Sequence, residues 1–138
     1  MRKRTLAREC ALQVLYQRDI TNDTPDAVLD NFWSNHSDKE FDADLKDFSS
    51  SLVKGVVEHL DEIDKRIVQH ATNWQLKRMA VVDRNIMRLG AFELLYRDDI
   101  PPKVSINEAV ELAKKFSGLE AGKFVNAILD KVNPDKDK

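Results

Sequence analysis

The residues best suited to chemistry in this 138-residue sequence are four cations, Arg2, Lys3, Arg4 and Arg8, that precede its first acid, Glu9. Clustered ammonium and guanidinium groups hold phosphate oxygens, and the planar fork of arginine can grip two at once. The formal net charge is −2, so the chain as a whole is no general polyanion binder. Any nucleic-acid site must be a local patch. The same cluster also reads as a solvated, frayed terminus, and composition alone does not separate the two readings.

Other constellations do not assemble into catalysis. His36, His59 and His70 fall in different segments without metal-ligand spacing. Asp38, Asp42, Asp44 and Asp47 lie close in sequence, but their spacing is not that of an EF-hand loop. They read as the start and solvated face of an acidic helix. Cys10 stands alone, which allows no internal disulfide and no cysteine-based metal cage, and it reads as a small core residue. The four glycines are scattered and form no phosphate loop, and Ser49 to Ser51 sit in a helical pattern, not in a nucleophile elbow. The expectation is a non-enzyme with no catalytic residue, no metal and no cofactor.

The elements that must position the cations are helical. Apolar residues make up 42% and charged residues 33%, a balance that suits one soluble helical domain. No apolar run approaches the ~20 residues of a membrane span, and the basic start lacks the apolar stretch of a secretion signal. With the lone cysteine, these features favour the cytoplasm.

Apolar residues recur at helical spacing along the chain, and no period-two strand pattern appears. Helix 1 is expected from about Thr5 to Asp19, with Ala7, Cys10, Ala11, Val14 and Leu15 on one stripe and Leu12 and Tyr16 on another side. Thr24 followed by Pro25 is a cap with proline at the first helical position, opening a helix 2 that runs to about Trp33. Ser37 and Glu40 form a capping box for helix 3, whose stripe is Phe41, Leu45, Phe48, Leu52 and Val56. Helix 4 starts near Asp61, and Trp74, Leu76 and Met79 form a connecting turn or short helix. Asp83 is the expected cap of helix 5, which is apolar on more than one side and carries Gly90 as a mark of close packing. Helix 5 is therefore placed centrally in the second half.

Helix 6 is expected to open at the S-x-x-E box of Ser105 and Glu108, with Pro101 and Pro102 excluding an earlier start. Its stripe is Ile106, Ala109, Val110, Ala113 and Phe116, and Lys114 and Lys115 suit the dipole of its last turn. Gly118 is the expected left-handed stop, after which Phe124, Ile128 and Val132 form a second stripe that ends at Asn133 and Pro134. The fold class is all-α: two small helical bundles packed together, about seven helices in all. Helices 1–3 occupy roughly 3–58, helices 4–7 roughly 60–132, and 133–138 form a tail.

Three blocks in register, ARECALQVLYQ, VVDRNIMRLGAFELLY and INEAVELAKKF followed by KFVNAILDK, resemble the NusB family of bacterial transcription antitermination factors. The likeness spans Arg4 to Val132. It implies the two-bundle all-α fold and a partnership with NusE, which is also a small-subunit ribosomal protein. It further implies binding of the single-stranded boxA element of nascent RNA, notably from rRNA operons. The complex would join RNA polymerase with other Nus factors and suppress termination.

Carried over by position, the RNA contacts fall on Arg2, Lys3, Arg4, Arg8, Tyr16, Arg88, Lys123 and Phe124. Cations suit phosphates, and aromatic faces suit unstacked bases. Phe124 also fits the core stripe of helix 7. Glu120 holds an acidic position near the RNA edge, and Asp83 matches an acidic position at the NusE interface, expected as a surface separate from the RNA contacts. Ala127 stands where relatives often carry glycine and is expected to widen a helix contact. A homodimer that covers the RNA surface is a further arrangement known in the family. Two alternatives stay open: the detached RNA-binding domain of an rRNA cytosine methyltransferase, and a helical protein-interaction module whose basic start is merely solvated.

Overall fold

The computed structural model describes residues 2–36, 41–71 and 79–134. Its elements are α1 (Lys3–Thr21), α2 (Pro25–Asn35), α3 (Ala43–Glu58), α4 (Leu60–His70), α5 (Val81–Tyr96), α6 (Pro102–Phe116) and α7 (Leu119–Val132). All regular structure among the described residues is helical. The chain divides into two compact units, Met1–Glu58 and His59–Lys138.

In the first unit, α1 packs on α2 and α3, and α2 also packs on α3. Two caps set the register. Thr24 Oγ1 accepts the Ala27 N–H at 3.2 Å with Pro25 at the first position of α2, as the sequence suggested. The start of α3 differs from expectation. Ser37 and Glu40 lie outside the described residues, and α3 begins at Ala43 under Asp42, whose Oδ1 accepts the Leu45 N–H at 2.9 Å. An N-cap of this kind stabilises a helix by about 1 kcal/mol. Cys10, Val14, Leu29, Leu45, Leu52 and Val56 are buried, each large side chain contributing roughly 1.5–3 kcal/mol of transfer free energy. Cys10 is a buried free thiol, in keeping with a packing role.

The second unit is organised by α5, which packs against α4, α6 and α7. Every residue from Asn85 to Leu94 is buried, so this helix has no solvent face over nearly three turns. At Gly90 a Cβ would meet Leu129 Cδ1 at 2.5 Å and Ala109 Cβ at 3.2 Å, which is why the α5, α6 and α7 backbones can converge there. Asp83 does not cap α5. The helix starts two residues earlier, after Ala80, and Asp83 sits in its first turn, where a carboxylate favours the dipole. Trp74 and Leu76 lie outside the described residues.

The start of α6 overturns the capping-box expectation. Pro101 takes the cap position and Pro102 the first helical position, where a missing N–H costs nothing. The Pro101 carbonyl accepts from Val104 N at 2.9 Å and Ser105 N at 3.2 Å. Ser105 is therefore inside the helix and buried, and its Oγ donates to Glu93 Oε1 of α5 at 2.8 Å. The stripe also shifts: Leu112 is buried, Val110 is half-buried and Phe116 is exposed.

Between α6 and α7 the Ser117 and Gly118 N–H groups both donate to the Ala113 carbonyl, at 2.8 and 2.9 Å. Gly118 has φ 116° and ψ 176°, an extended positive-φ conformation open essentially to glycine alone, and it caps the next helix. In α7 the core positions are Val125, Ile128, Leu129 and Val132, with Phe124 turned half out. Ala127 is exposed, so the expected widening of a helix contact does not arise there. The close α6–α7 approach is at Gly122 instead, where a Cβ would meet Lys114 Cγ at 2.9 Å.

Candidate nucleic-acid interface

At the start of the chain the cations stand on a helix, not on a frayed arm. Arg2 is the extended cap residue of α1, and the first turn holds Lys3 and Arg4 with no acid. Cations there oppose the helix dipole. The opposing charge comes from α3. Lys3 Nζ lies 2.8 Å from Asp42 Oδ2 and 3.8 Å from Asp44 Oδ2. The hydrogen bond between Lys3 and Asp42 is the main reason that the lysine is held above its ordinary pKa of 10.5 and the carboxyl below its ordinary 3.8.

The arginines differ from one another. Arg4 is exposed and its guanidinium lies 4.4 Å from the centroid of the Phe48 ring. Arg8, one turn on, is 5.4 Å from the same ring but only 3% exposed. Its expected phosphate contact does not fit that burial: Arg8 belongs to the α1–α3 packing, with an aliphatic stem well suited to it. Arg2, Lys3 and Arg4 remain as the accessible cations. Tyr16 is exposed on the same helix, and Ile20, one turn further, is exposed beside it.

The second unit contributes a cleft of about 810 Å³ where the first turn of α5 faces the α6–α7 junction and the first turns of α7. Asp83, Ser117, Glu120, Lys123 and Phe124 line it. Ser117 Oγ donates a short hydrogen bond to Asp83 Oδ1, which ties α5 to the junction. Lys123 is well exposed and lies 3.6 Å from Glu120, one turn earlier. Phe124 gives the cleft an aromatic wall because its neighbour Val125, about 100° round the helix, takes the core position. An aromatic face beside a cation is suited to a stacked base next to a phosphate, with Glu120 competing for the same lysine. Asp83 was expected on a surface of its own, but it lines the same cleft as Lys123 and Phe124.

Arg88 is placed differently. It is buried, with Nε 2.8 Å from Asp64 Oδ1 and Nη2 2.9 Å from Asp64 Oδ2. Its Nη1 also donates to Asn85 Oδ1 at 3.3 Å. A fork held in this bidentate way joins α4 to α5, and an RNA phosphate would have to displace Asp64 to use it. Arg88 thus joins α4 to α5 as a buried tie, and little of it is exposed for the expected RNA contact. Sequence reasoning missed Asp64, Ser117 and the platform of Asp42 and Phe48. Their partners lie 24 to 44 positions away, beyond any local pattern.

Among the described residues no group of three His, Cys, Asp or Glu side chains converges as a metal site, and no helix is long and apolar enough to cross a membrane.

A family model described as the NusB family matches residues 5–134. The chain belongs to the NusB family. Transcription antitermination protein NusB of Myxococcus xanthus is 51% identical over 134 residues, covering 96% of this chain and 95% of that protein. The NusB of Anaeromyxobacter dehalogenans strain 2CP-1 is 48% identical, covering 94% and 89%. Among solved structures, NusB of T. maritima superposes with a TM-score of 0.85 at 34% identity, covering 96% of this chain and 91% of that one. A complex of the antitermination factors NusB and NusE with double-stranded RNA superposes with a TM-score of 0.82 at 32% identity, covering 96% and 97%. The resemblance read from three sequence blocks is thus family membership across nearly the whole chain.

Proposed function

We propose that this NusB-family chain is an RNA-binding antitermination adaptor and not an enzyme. With NusE it binds the boxA element of nascent transcripts, notably of rRNA operons. It then joins RNA polymerase with other Nus factors and helps the enzyme read through terminators. The observation that carries the reading is the likeness, over nearly the full length of both chains, to the NusB of the NusB–NusE–RNA complex. The geometry supports it in two places. Arg2, Lys3 and Arg4 gather exposed cations at a helix start that has no acid of its own, which suits a phosphate-binding role. Lys123 and Phe124 share a cleft with Asp83, the proposed NusE contact. Tyr16 is an exposed aromatic face available to a base.

The RNA in that neighbouring complex is double-stranded, which favours a second reading in which duplex RNA is also held. Fluorescence anisotropy with single-stranded boxA RNA, a scrambled strand and a duplex of equal length separates the two. The adaptor reading expects boxA to bind tightest, with a salt slope of about −2 for three contacts to a single strand. Replacing Arg2, Lys3 and Arg4 by alanine should weaken all three RNAs and flatten that slope. An unchanged slope in the triple variant removes the α1 patch from the site, and tighter duplex binding makes the second reading primary.

A further inference from the structure

We propose that Asp42 is a built-in competitor for phosphate at the start of α1: it holds Lys3 in the free protein and must release it when RNA binds. The inference rests on the reading of α1 as a phosphate-binding surface. Lys3 Nζ sits 2.8 Å from Asp42 Oδ2, and both side chains are 48% exposed, so a phosphate oxygen can approach the ammonium from water. The carboxylate is not aimed by the lysine. Asp42 Oδ1 accepts the Leu45 N–H at 2.9 Å, so the α3 cap fixes the group and leaves Oδ2 for Lys3. Asp44 adds a second carboxylate 3.8 Å from the same ammonium. The first turn of α1 has no acid of its own, and Asp42 supplies the counter-charge that Lys3 needs there.

An exposed pair of this kind exchanges partners at small cost. Once Lys3 moves to a phosphate, Asp42 is left as an uncompensated charge near an anionic ligand. The device therefore subtracts from every RNA complex that uses Lys3. It weighs proportionally more on a ligand that depends on Lys3 alone than on a strand making several contacts.

The test is anisotropy on the full chain with single-stranded boxA-type RNA. Asp42→Asn removes the charge and keeps the cap, because Asn caps a helix as well as Asp does. The variant should bind about two- to fivefold more tightly at low salt, the range set by exposed ion pairs. The gain should fade by about 0.5 M salt, where the pair is screened. In a Lys3→Ala background the same substitution should give no gain. Asp44→Asn, an equal charge change beside the same ammonium but at longer range, should give a smaller one. Asp42→Ser, which also caps, repeats the measurement should the asparagine variant melt early. Unchanged affinity on removing the Asp42 charge, or an equal gain with and without Lys3, overturns the proposal while leaving the α1 reading intact. A parent protein whose RNA binding shows no salt dependence overturns both.

Discussion

Ser105 Oγ on α6 donates a 2.8 Å hydrogen bond to Glu93 Oε1 on α5, and both residues are buried. Ser105→Ala should therefore destabilise the protein by about 1–3 kcal/mol, because it takes a partner from a buried carboxyl group. A lost helix cap would not be rescued by changing Glu93, whereas this pair should be coupled. A double-mutant cycle with Glu93→Gln, followed by thermal or urea unfolding, checks it. Strictly additive losses would contradict a direct Ser105–Glu93 interaction.

Gly90→Ala sets two effects against each other. In an exposed helix interior the change gains about 1 kcal/mol of propensity. Here the new Cβ would lie 2.5 Å from Leu129 Cδ1, and Leu129 is fully buried. Overpacking costs about 1–3 kcal/mol and should win, lowering the melting temperature. A higher melting temperature in the alanine variant would show that α7 can move away from α5.

Arg88→Ala should act on stability before it acts on RNA. The side chain is bidentate to Asp64, and its removal leaves a partly buried carboxylate without its fork. A loss of about 1–3 kcal/mol is expected, below the full cost of breaking a deeply buried pair, because Asp64 is 26% exposed. RNA affinity measured well below the melting temperature should change less than in Lys123→Ala. A larger affinity loss in Arg88→Ala would make the arginine a direct contact.

The tie between Lys3 and Asp42 has a pH window whose ends follow from the direction of each shift. Asp42 is held below its ordinary 3.8, chiefly by the hydrogen bond from Lys3, so its contribution is complete above 3.8 and is lost as pH falls through the lowered value. Lys3 is held above 10.5, chiefly by the same bond, so its contribution is complete below 10.5 and is lost as pH rises through the raised value. An NMR titration of the Asp42 carboxyl carbon should show a lowered midpoint. Lys3→Ala should move it only part of the way back, since the Leu45 N–H still favours the charged form. A midpoint indifferent to Lys3 would contradict the tie.

The parts of this fold that could be read in the sequence are those set by local chemistry. Thr24 and Pro25 act within four residues, so their roles were legible. The stripes of Val14, Leu52 and Ile128 follow from helical spacing alone. Ser105 was misread because S-x-x-E fits a cap and a mid-helix serine equally well, and the choice depends on Glu93 in the preceding helix. Pro101 and Pro102 read in sequence as a barrier to a helix start, but proline at the first helical position opens one. The candidate site divides in the same way. Arg4 and Arg8 are alike in type and share a helix face, yet one is exposed and one is buried. That difference comes from tertiary packing, and so does the cleft that gathers Asp83 with Lys123 and Phe124.

Cooperative binding of RNA and NusE is tested by a complete binding cycle. RNA affinity is measured by anisotropy with and without saturating NusE at fixed salt, and NusE affinity with and without saturating boxA RNA. NusE docked at Asp83, beside an RNA strand held at Lys123 and Phe124, would extend the RNA-contacting surface, so the two ligands should favour each other, with a coupling of about 1–3 kcal/mol, or roughly 5- to 150-fold. Linkage requires the same factor on both legs. Asp83→Lys should reduce that factor. Equal RNA affinity with and without NusE would contradict the account and leave a solitary RNA binder or a protein-only module.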